Sequence, residues 1–349
     1  MRKERNYLLG YIKLILVCSL VFIHYPLQSE AGFFFGCLCR LTVPFFFIIS
    51  GYYSYSKNGD EIVKKLKRIS VKFVLSFLLY LAWEIYKRKA FYHSSIIEYL
   101  SLIFSVKNIS LFLFTNRIAV KDHLWFMAAL IYCYIFVYVY IFITSDQENR
   151  YSKLYRMSAV LLIIHFIISC LFSAADVQIN YIVYRNALLL GLPMFAAGIF
   201  IHQYNDMIIS RFNLSIHKII QIFVIALVLA EIEWYGLGGR EMPLGIFIAS
   251  NCLFLIVNNI EFRFSEFFKN LSLLSDKMSM YVYIIHIIVY EVLCGGFPYT
   301  VLSLSNQFAR NILVIVISLA ISFLLSLSEQ LIKNKNGSSK FGNNKNYLL

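Results

Sequence analysis

Residues 7–27, YLLGYIKLILVCSLVFIHYPL, form an apolar stretch long enough to cross a lipid bilayer as one helix. Similar stretches recur along the chain, so 60% of its 349 residues are hydrophobic and only 15% are charged. A soluble globular chain has roughly 45–50% apolar and about 25% charged residues. The sequence therefore predicts an all-α polytopic membrane protein, built as a bundle of about ten transmembrane helices.

The apolar stretches divide the chain into one transmembrane domain over residues 1–332 and a polar tail over 333–349. The tail is rich in Asn, Gly, Lys and Ser, which predicts a disordered cytoplasmic end or the start of a linker to a further domain. Between the third and fourth spans, residues 94–120 are too long for a plain connector, and their apolar side chains recur at helical spacing. This segment is either an interfacial helix covering a site or a loop that rests on the membrane. The predicted spans are 7–27, 32–55, 70–86, 123–144, 156–173, 183–202, 217–235, 242–258, 278–295 and 308–331.

The net charge of +13 does not indicate a nucleic-acid partner, because the basic residues lie in short runs between the apolar segments. That distribution is typical of residues that anchor helix ends and contact anionic lipids. With both termini in the cytoplasm, roughly 21 of the 32 Lys and Arg fall on the inner side, which favours that orientation. The discordant stretch is 87–122, which begins with Lys87, Arg88 and Lys89.

The seven cysteines predict neither disulfides nor a metal centre. Their number is odd, no CxxC pair occurs, and most lie inside apolar stretches. We therefore expect buried free thiols and no bound metal.

Ionisable residues inside the predicted spans are the first candidates for function, since such groups are costly in lipid. Lys13 and His24 are eleven residues apart in the first span. On a helix this spacing is about 16 Å along the axis and places both on roughly the same face. Lys13 can snorkel to the inner surface, whereas His24 can accept and return a proton near neutral pH.

The second span combines Arg40 and Pro44 with Ser50, Gly51 and Tyr52. An arginine at this depth needs a partner, for which Glu84 in the third span is one candidate. Pro44 frees a backbone carbonyl, and Ser50-Gly51 allows a ligand or another backbone to approach closely. Each feature also has a simple packing explanation.

Further polar or interfacial residues lie at the ends of later spans. His123 stands beside Lys121 and Asp122 and is a candidate to contact a ligand headgroup, whereas an interfacial Trp125 is a common membrane anchor. Glu231 and Glu233 lie about 200° apart on a helix, so we prefer the deeper Glu231 for a cavity. Arg185 and His286 complete this set.

These residues resemble the motifs of the acyltransferase-3 family of membrane acyltransferases along nearly the whole chain. The family shows Arg-x10-His in its first helix, where this chain has Lys13-x10-His24. The other similar elements are Arg40 with Pro44-x-Phe46-Phe47 and Ser50-Gly51-Tyr52, His123-Leu124-Trp125-Phe126, Arg185 with Pro193, Phe195 and Gly198, and Tyr283-x-x-His286.

The resemblance implies transfer of an acyl group, often acetyl, from a coenzyme A thioester to a hydroxyl of a glycan or another cell-envelope acceptor. It implies a multi-pass protein of a cell membrane, such as a bacterial plasma membrane. His24 is then the general base or a transient acyl carrier, and Arg40 and Lys13 stabilise negative charge or bind donor phosphates. Lys13 departs from the family arginine and cannot form its planar bidentate contacts.

The sequence is also similar to the membrane half of vancomycin-resistance-type serine racemases. That likeness implies a different function, the uptake of a small amino acid such as L-serine. Glu231 and Arg40 would then pair with the ammonium and carboxylate of the substrate. A racemase domain fused to the C-terminus, or a separate one, would be the partner.

Overall fold

The computed structural model describes residues 5–144, 150–174, 183, 185–236, 242–294 and 306–342. These residues form α-helices joined by short connections and contain no strand. The helices are α1 (Leu8–His24), α2 (Glu30–Cys39), α3 (Thr42–Tyr52), α4 (Gly59–Lys87), α5 (Ile96–Ile103), α6 (Val106–Thr115), α7 (Trp125–Ile143), α8 (Arg150–Ala174), α9 (Leu192–Arg211), α10 (Ile216–Gly236), α11 (Leu244–Asn259), α12 (Glu266–Cys294) and α13 (Gln307–Gly342).

The predicted all-α membrane fold is confirmed, and each predicted span overlaps at least one helix. Within the described residues, seven helical segments are long and apolar enough to cross a membrane. The number rises to eight if α5 and α6, which are bent by 41° at their junction, form one broken span. The helices α1 and α11 are apolar but shorter. The figure of ten spans therefore stays a prediction.

The first compact unit consists of Met1–Cys39 and Glu261–Leu349 and contains α1, α2, α12 and α13. Its apolar core includes Val21 of α1, Ile285 and Val289 of α12, and Val314 of α13. At the other end of α1, Gly10 lies directly against Ser272 of α12, where a larger residue would clash. The long helix α12 therefore supports α1 along most of its length.

The second compact unit is Arg40–Ile260 and contains α3 to α11. Within it, α3 and α9 pack closely, because two glycines remove side chains from the contact. Gly51 lies against the carbonyl of Phe195, and Gly198 lies against the carbonyl of Ile48. Small residues allow such close approach in membrane bundles.

The predicted second span, 32–55, is interrupted in its middle. Helix α2 ends at Cys39, a turn covers Arg40 and Leu41, and α3 begins at Thr42. Pro44 explains the break, since proline has no N–H to bond the carbonyl four residues earlier and its ring clashes with it.

The segment 94–120 is helical, as its apolar spacing predicts, and forms α5 and α6. Ile97, Leu102, Val106 and Phe114 are exposed large apolar side chains on this pair. The placement of the pair at the membrane interface stays a prediction.

Two sequence expectations change in detail. Helix α13 continues to Gly342, so the part of the predicted disordered tail before residue 343 is helical, and 343–349 lie outside the described residues. Elongating an existing helix is far easier than starting one, which accounts for the extension. The seven cysteines are thiols outside any disulfide, as expected, but Cys170 is exposed, and Cys18 and Cys294 are only half-buried.

Candidate functional site

His24 is the last residue of α1, and its ring lies against that of His286 in α12, with a centroid separation of 5.3 Å. His286 is completely buried. Its Nδ1 is 3.0 Å from the carbonyl oxygens of both Val282 and Tyr283. Because carbonyls only accept hydrogen bonds, Nδ1 carries the hydrogen, and Nε2 of neutral His286 is an acceptor. The structure thus brings two of the predicted site residues together.

The chain that follows His24 is fixed to α12 and α13. Tyr25 stacks on Tyr290 of α12, and its carbonyl accepts a hydrogen bond of 2.7 Å from Nδ2 of Asn311. Nε2 of Gln307 donates to the carbonyl of Pro26 at 2.5 Å. These contacts hold the end of α1 in place, which pre-organises the His24 ring.

Near the other end of α1, Lys13 forms an ion pair with a residue that sequence reasoning missed. Its Nζ is 2.8 Å from Oδ1 of Asp276 in α12. The second oxygen of the same carboxylate is 3.0 Å from Nη2 of Arg5. Lys13 and His24 both meet α12, which confirms that they lie on the same face of α1.

The second unit positions Arg40 and the Ser50-Gly51-Tyr52 element. The Arg40 guanidinium lies over the ring of Trp234 at 5.2 Å. Ser50 Oγ donates to the Phe46 carbonyl at 2.8 Å, and the Tyr52 carbonyl accepts from His202 Nδ1 at 2.7 Å. Gly51 serves the close contact of α3 with α9, so its packing explanation is sufficient.

Glu84 is not the partner of Arg40 that we considered. Its Oε1 is 2.6 Å from Nζ of Lys87 and 2.7 Å from Nζ of Lys121. The sequence could not show this, because Lys121 is remote along the chain and a lysine beside a helix end ordinarily turns outward.

The His-Leu-Trp-Phe element is buried and spans a short 3-10 turn and the first residues of α7. His123 is 4% exposed and makes an edge-on contact with Tyr80 at 4.7 Å. Trp125 is buried as well, so it is not a surface anchor as an interfacial tryptophan would be.

The two remaining sequence candidates lie in the second unit. Arg185 is half-buried just before Asn186, whose side chain caps the turn that leads into α9. Glu231 is half-buried, and its Oε2 has no hydrogen-bond partner among the described residues. Glu233 instead accepts a hydrogen bond of 2.9 Å from the Gly245 amide, so the two carboxylates do differ in environment.

Three residues of the first unit, Asp276, Tyr290 and Asn311, were missed by the sequence analysis. Asp276 precedes the predicted ninth span and looks like an ordinary flanking charge, and Tyr290 and Asn311 match no quoted motif. A polar residue within an apolar segment was the available signal for Asn311. Among the described residues, no group of three or more His, Cys, Asp or Glu is placed to hold a metal ion.

A helical membrane protein in which the half-buried His24 meets the buried His286 is suited to group transfer, and comparison with known proteins defines the class. A family model described as an acyltransferase domain matches residues 6–327. Because the match covers most of the chain, the protein belongs to the acyltransferase-3 family, and it is a multi-pass membrane acyltransferase.

No match was found among curated proteins or among solved structures. The resemblance to the acyltransferase-3 family is thereby confirmed, whereas nothing in the comparisons supports the likeness to serine racemases or the uptake of an amino acid.

Proposed function

We propose that the protein transfers an acyl group, specifically acetyl, from a coenzyme A thioester to a hydroxyl of a glycan or another cell-envelope acceptor. The observation that carries the proposal is the contact of His24 with the buried His286, in a chain of the acyltransferase-3 family. The cell membrane is the proposed location, with both termini in the cytoplasm.

His24 acts as the general base in this proposal. It removes the proton of the acceptor hydroxyl while the oxygen attacks the thioester carbonyl, and the coenzyme A thiolate leaves. An imidazole can alternatively carry the acetyl group between donor and acceptor. Both routes need one ring nitrogen of His24 to be unprotonated.

His286 is proposed to select that state. With Nδ1 bonded to two backbone carbonyls, the buried Nε2 is the acceptor nitrogen of neutral His286. The ring separation of 5.3 Å allows a hydrogen bond of about 3 Å between ring nitrogens. Accepting the hydrogen of His24 would leave the other His24 nitrogen available as the base.

Lys13 and Arg40 are proposed to offset negative charge on the donor. Lys13 already shares Asp276 with Arg5, so its ammonium is held in a fixed position at one end of α1. Arg40 stacks on Trp234, and its planar guanidinium is the kind of donor that suits phosphate or thioester oxygens. Of the remaining sequence candidates, Tyr52, Arg185 and Glu231 are proposed to bind substrate.

The test is a transfer assay with purified protein in lipid nanodiscs, acetyl-labelled coenzyme A and a cell-envelope fraction. Label should appear in the acceptor fraction and be released by mild alkali, as an oxygen ester is. Free labelled acetate is the corresponding control, since it has no activated acyl group. Failure to label any envelope fraction, or equal labelling from free acetate, would contradict the proposal.

A further inference from the structure

The start of α13 carries an arginine that the acyl-transfer proposal does not use. Arg310 lies between Gln307 and Asn311 in this helix. Those two side chains bond the backbone that follows His24. Arg310 is also within electrostatic range of Tyr290 in α12. The arginine therefore lies at the same end of the first unit as His24.

Arg310 has no carboxylate partner within the described residues. Its buried Nε makes no hydrogen bond there, and no ion pair of these residues includes its guanidinium. The carboxylate of Glu291, in the last turn of α12, is within electrostatic range of Tyr25 and forms no ion pair with Arg310. Residues 295–305, between α12 and α13, include no Asp or Glu. The chain around Arg310 therefore does not supply the anion that would balance it.

The position of Arg310 makes a missing anion costly. The first turn of a helix carries partial positive charge, which disfavours a cation there. Arg310 is also half-buried, so water compensates its charge only in part. Its neighbours Asn306 and Phe308 are exposed, so this part of the helix can be reached from outside the bundle. An anion that is not part of the chain would remove the cost and accept from the guanidinium.

A stacked pair of tyrosine rings connects Arg310 with His24. Tyr25 directly follows His24 and stacks on Tyr290, and Tyr290 is within electrostatic range of Arg310. Both rings are half-buried, and each has one face that the other ring does not cover. A tyrosine offers an apolar face to the C–H groups of a sugar and a hydroxyl for a hydrogen bond. This end of the unit thus combines a histidine, an aromatic surface and an unpaired cation.

We propose that the acceptor is an anionic sugar, whose acidic group pairs with Arg310 while one of its hydroxyls reaches His24. A planar guanidinium suits carboxylate and phosphate oxygens alike, so the acidic group is one of these two. The sugar ring would lie beside Tyr25 and Tyr290. This inference rests on the proposed function, because it takes the hydroxyl that His24 deprotonates to belong to this sugar.

Thermal unfolding of the full chain in phosphatidylcholine nanodiscs tests this proposal with three sugars that differ only at carbon 6. Glucuronic acid carries a carboxylate there, glucose 6-phosphate carries a phosphate, and glucose carries neither. Each sugar is titrated at constant ionic strength without coenzyme A, and the rise of the unfolding temperature with its concentration gives its affinity. The variants are Arg310→Gln and Arg310→Met. Arg263→Gln is the control, because Arg263 is an exposed arginine of the same unit just before α12.

Wild type and Arg263→Gln should bind one of the acidic sugars about tenfold more tightly than glucose, and both Arg310 variants should bind all three sugars about equally. A preference for glucuronic acid identifies a carboxylate on the acceptor, whereas a preference for glucose 6-phosphate identifies a phosphate. The proposal is overturned if wild type does not prefer an acidic sugar, or if the Arg310 variants keep the preference. An equal loss in Arg263→Gln would also overturn it.

Without sugar, both Arg310 variants should unfold at the wild-type temperature or above it, because no ion pair within the chain is lost and a cation leaves the first turn of a helix. A clearly lower temperature, or failure of both variants to fold, would show that Arg310 has a partner in the chain and would overturn the proposal. The binding measurement needs no acetyl transfer. Its failure therefore leaves the acyl-transfer proposal standing, and a failed transfer assay does not alter the binding result.

Discussion

His24 combines a titratable ring with a rigid setting, and this combination determines how the site can work. His24 is the last residue of α1, and its ring contacts the buried ring of His286. The next residue, Tyr25, is stacked on Tyr290. A general base must hold its geometry to be effective, and such contacts restrict the ring without removing its capacity to accept a proton.

We predict that His286→Asn lowers the rate of acetyl transfer about tenfold to a hundredfold, as loss of an orienting partner of a histidine commonly does. Asparagine can keep a donor for the Val282 and Tyr283 carbonyls but loses the Nε2 acceptor. The pH profile of kcat should therefore change, while KM for acetyl-CoA stays near the wild-type value. His165→Asn, at another buried histidine, should leave the pH profile unchanged. An unaltered profile in His286→Asn would contradict the positioning role.

The Lys13–Asp276 pair should show strong coupling in a double-mutant cycle. The two side chains are 17% and 31% exposed, so the pair is neither deeply buried nor fully solvated. Lys13→Met and Asp276→Asn should each lower the unfolding temperature, and the double variant should lose less than the sum, by about 1–2 kcal/mol. Strict additivity in thermal unfolding would show that the pair is not formed in the membrane.

The sequence predicts that Lys13 and His24 share one face of α1, but it does not predict which helix that face contacts. The eleven-residue spacing of Lys13 and His24 fixes them on one face of a helix, whatever the helix packs against. Which helix they meet depends on long-range packing, so Asp276 could not be distinguished from other charges beside a span. For the same reason, the actual partners of Glu84 were not predicted.

At the scale of elements, helix contacts depend on small residues and on proline. Pro44 interrupts the predicted second span, so Arg40 lies in a turn rather than within a helix. Sequence patterns identify the apolar stretch but do not show how a freed carbonyl is accommodated. The sequence indicates Gly51 of α3 as a position of close approach, and only the fold shows that it lies against Phe195 of α9.

We predict that Gly198→Ala destabilises the protein by about 1–3 kcal/mol, the usual range for overpacking. The added methyl group would meet the Ile48 carbonyl, and backbone atoms cannot move aside as a flexible side chain can. Gly236→Ala is the matched control, because a methyl group there meets no atom of the described residues within 4 Å. Equal unfolding temperatures for the two variants would contradict the α3–α9 packing.

At the scale of the molecule, composition was sufficient to establish the class. Long apolar stretches with few charges have few stable alternatives to membrane helices, since lipid offers no partner for backbone polar groups. The number of spans is harder to predict than the class. The helices α1 and α11 are apolar, but they are shorter than the helices long enough to cross a membrane.

The distribution of basic residues predicts that both termini face the cytoplasm. Fusions of green fluorescent protein at either terminus should fluoresce, whereas alkaline phosphatase fusions at the same positions should be inactive. Since that orientation requires an even number of spans, an active phosphatase at one terminus alone would indicate an odd number and contradict the predicted topology.

The central claim is that His24 carries out the proton or acyl transfer of an acyltransferase. It is tested by the rate of acetyl transfer from coenzyme A in wild type, His24→Ala and His217→Ala, each reconstituted at equal folded amount. His217 is an exposed histidine of α10 and controls for loss of an imidazole. We predict that His24→Ala lowers the rate at least about a hundredfold, as removal of a general base does, whereas His217→Ala keeps the wild-type rate. Transfer by His24→Ala at the wild-type rate would contradict the account.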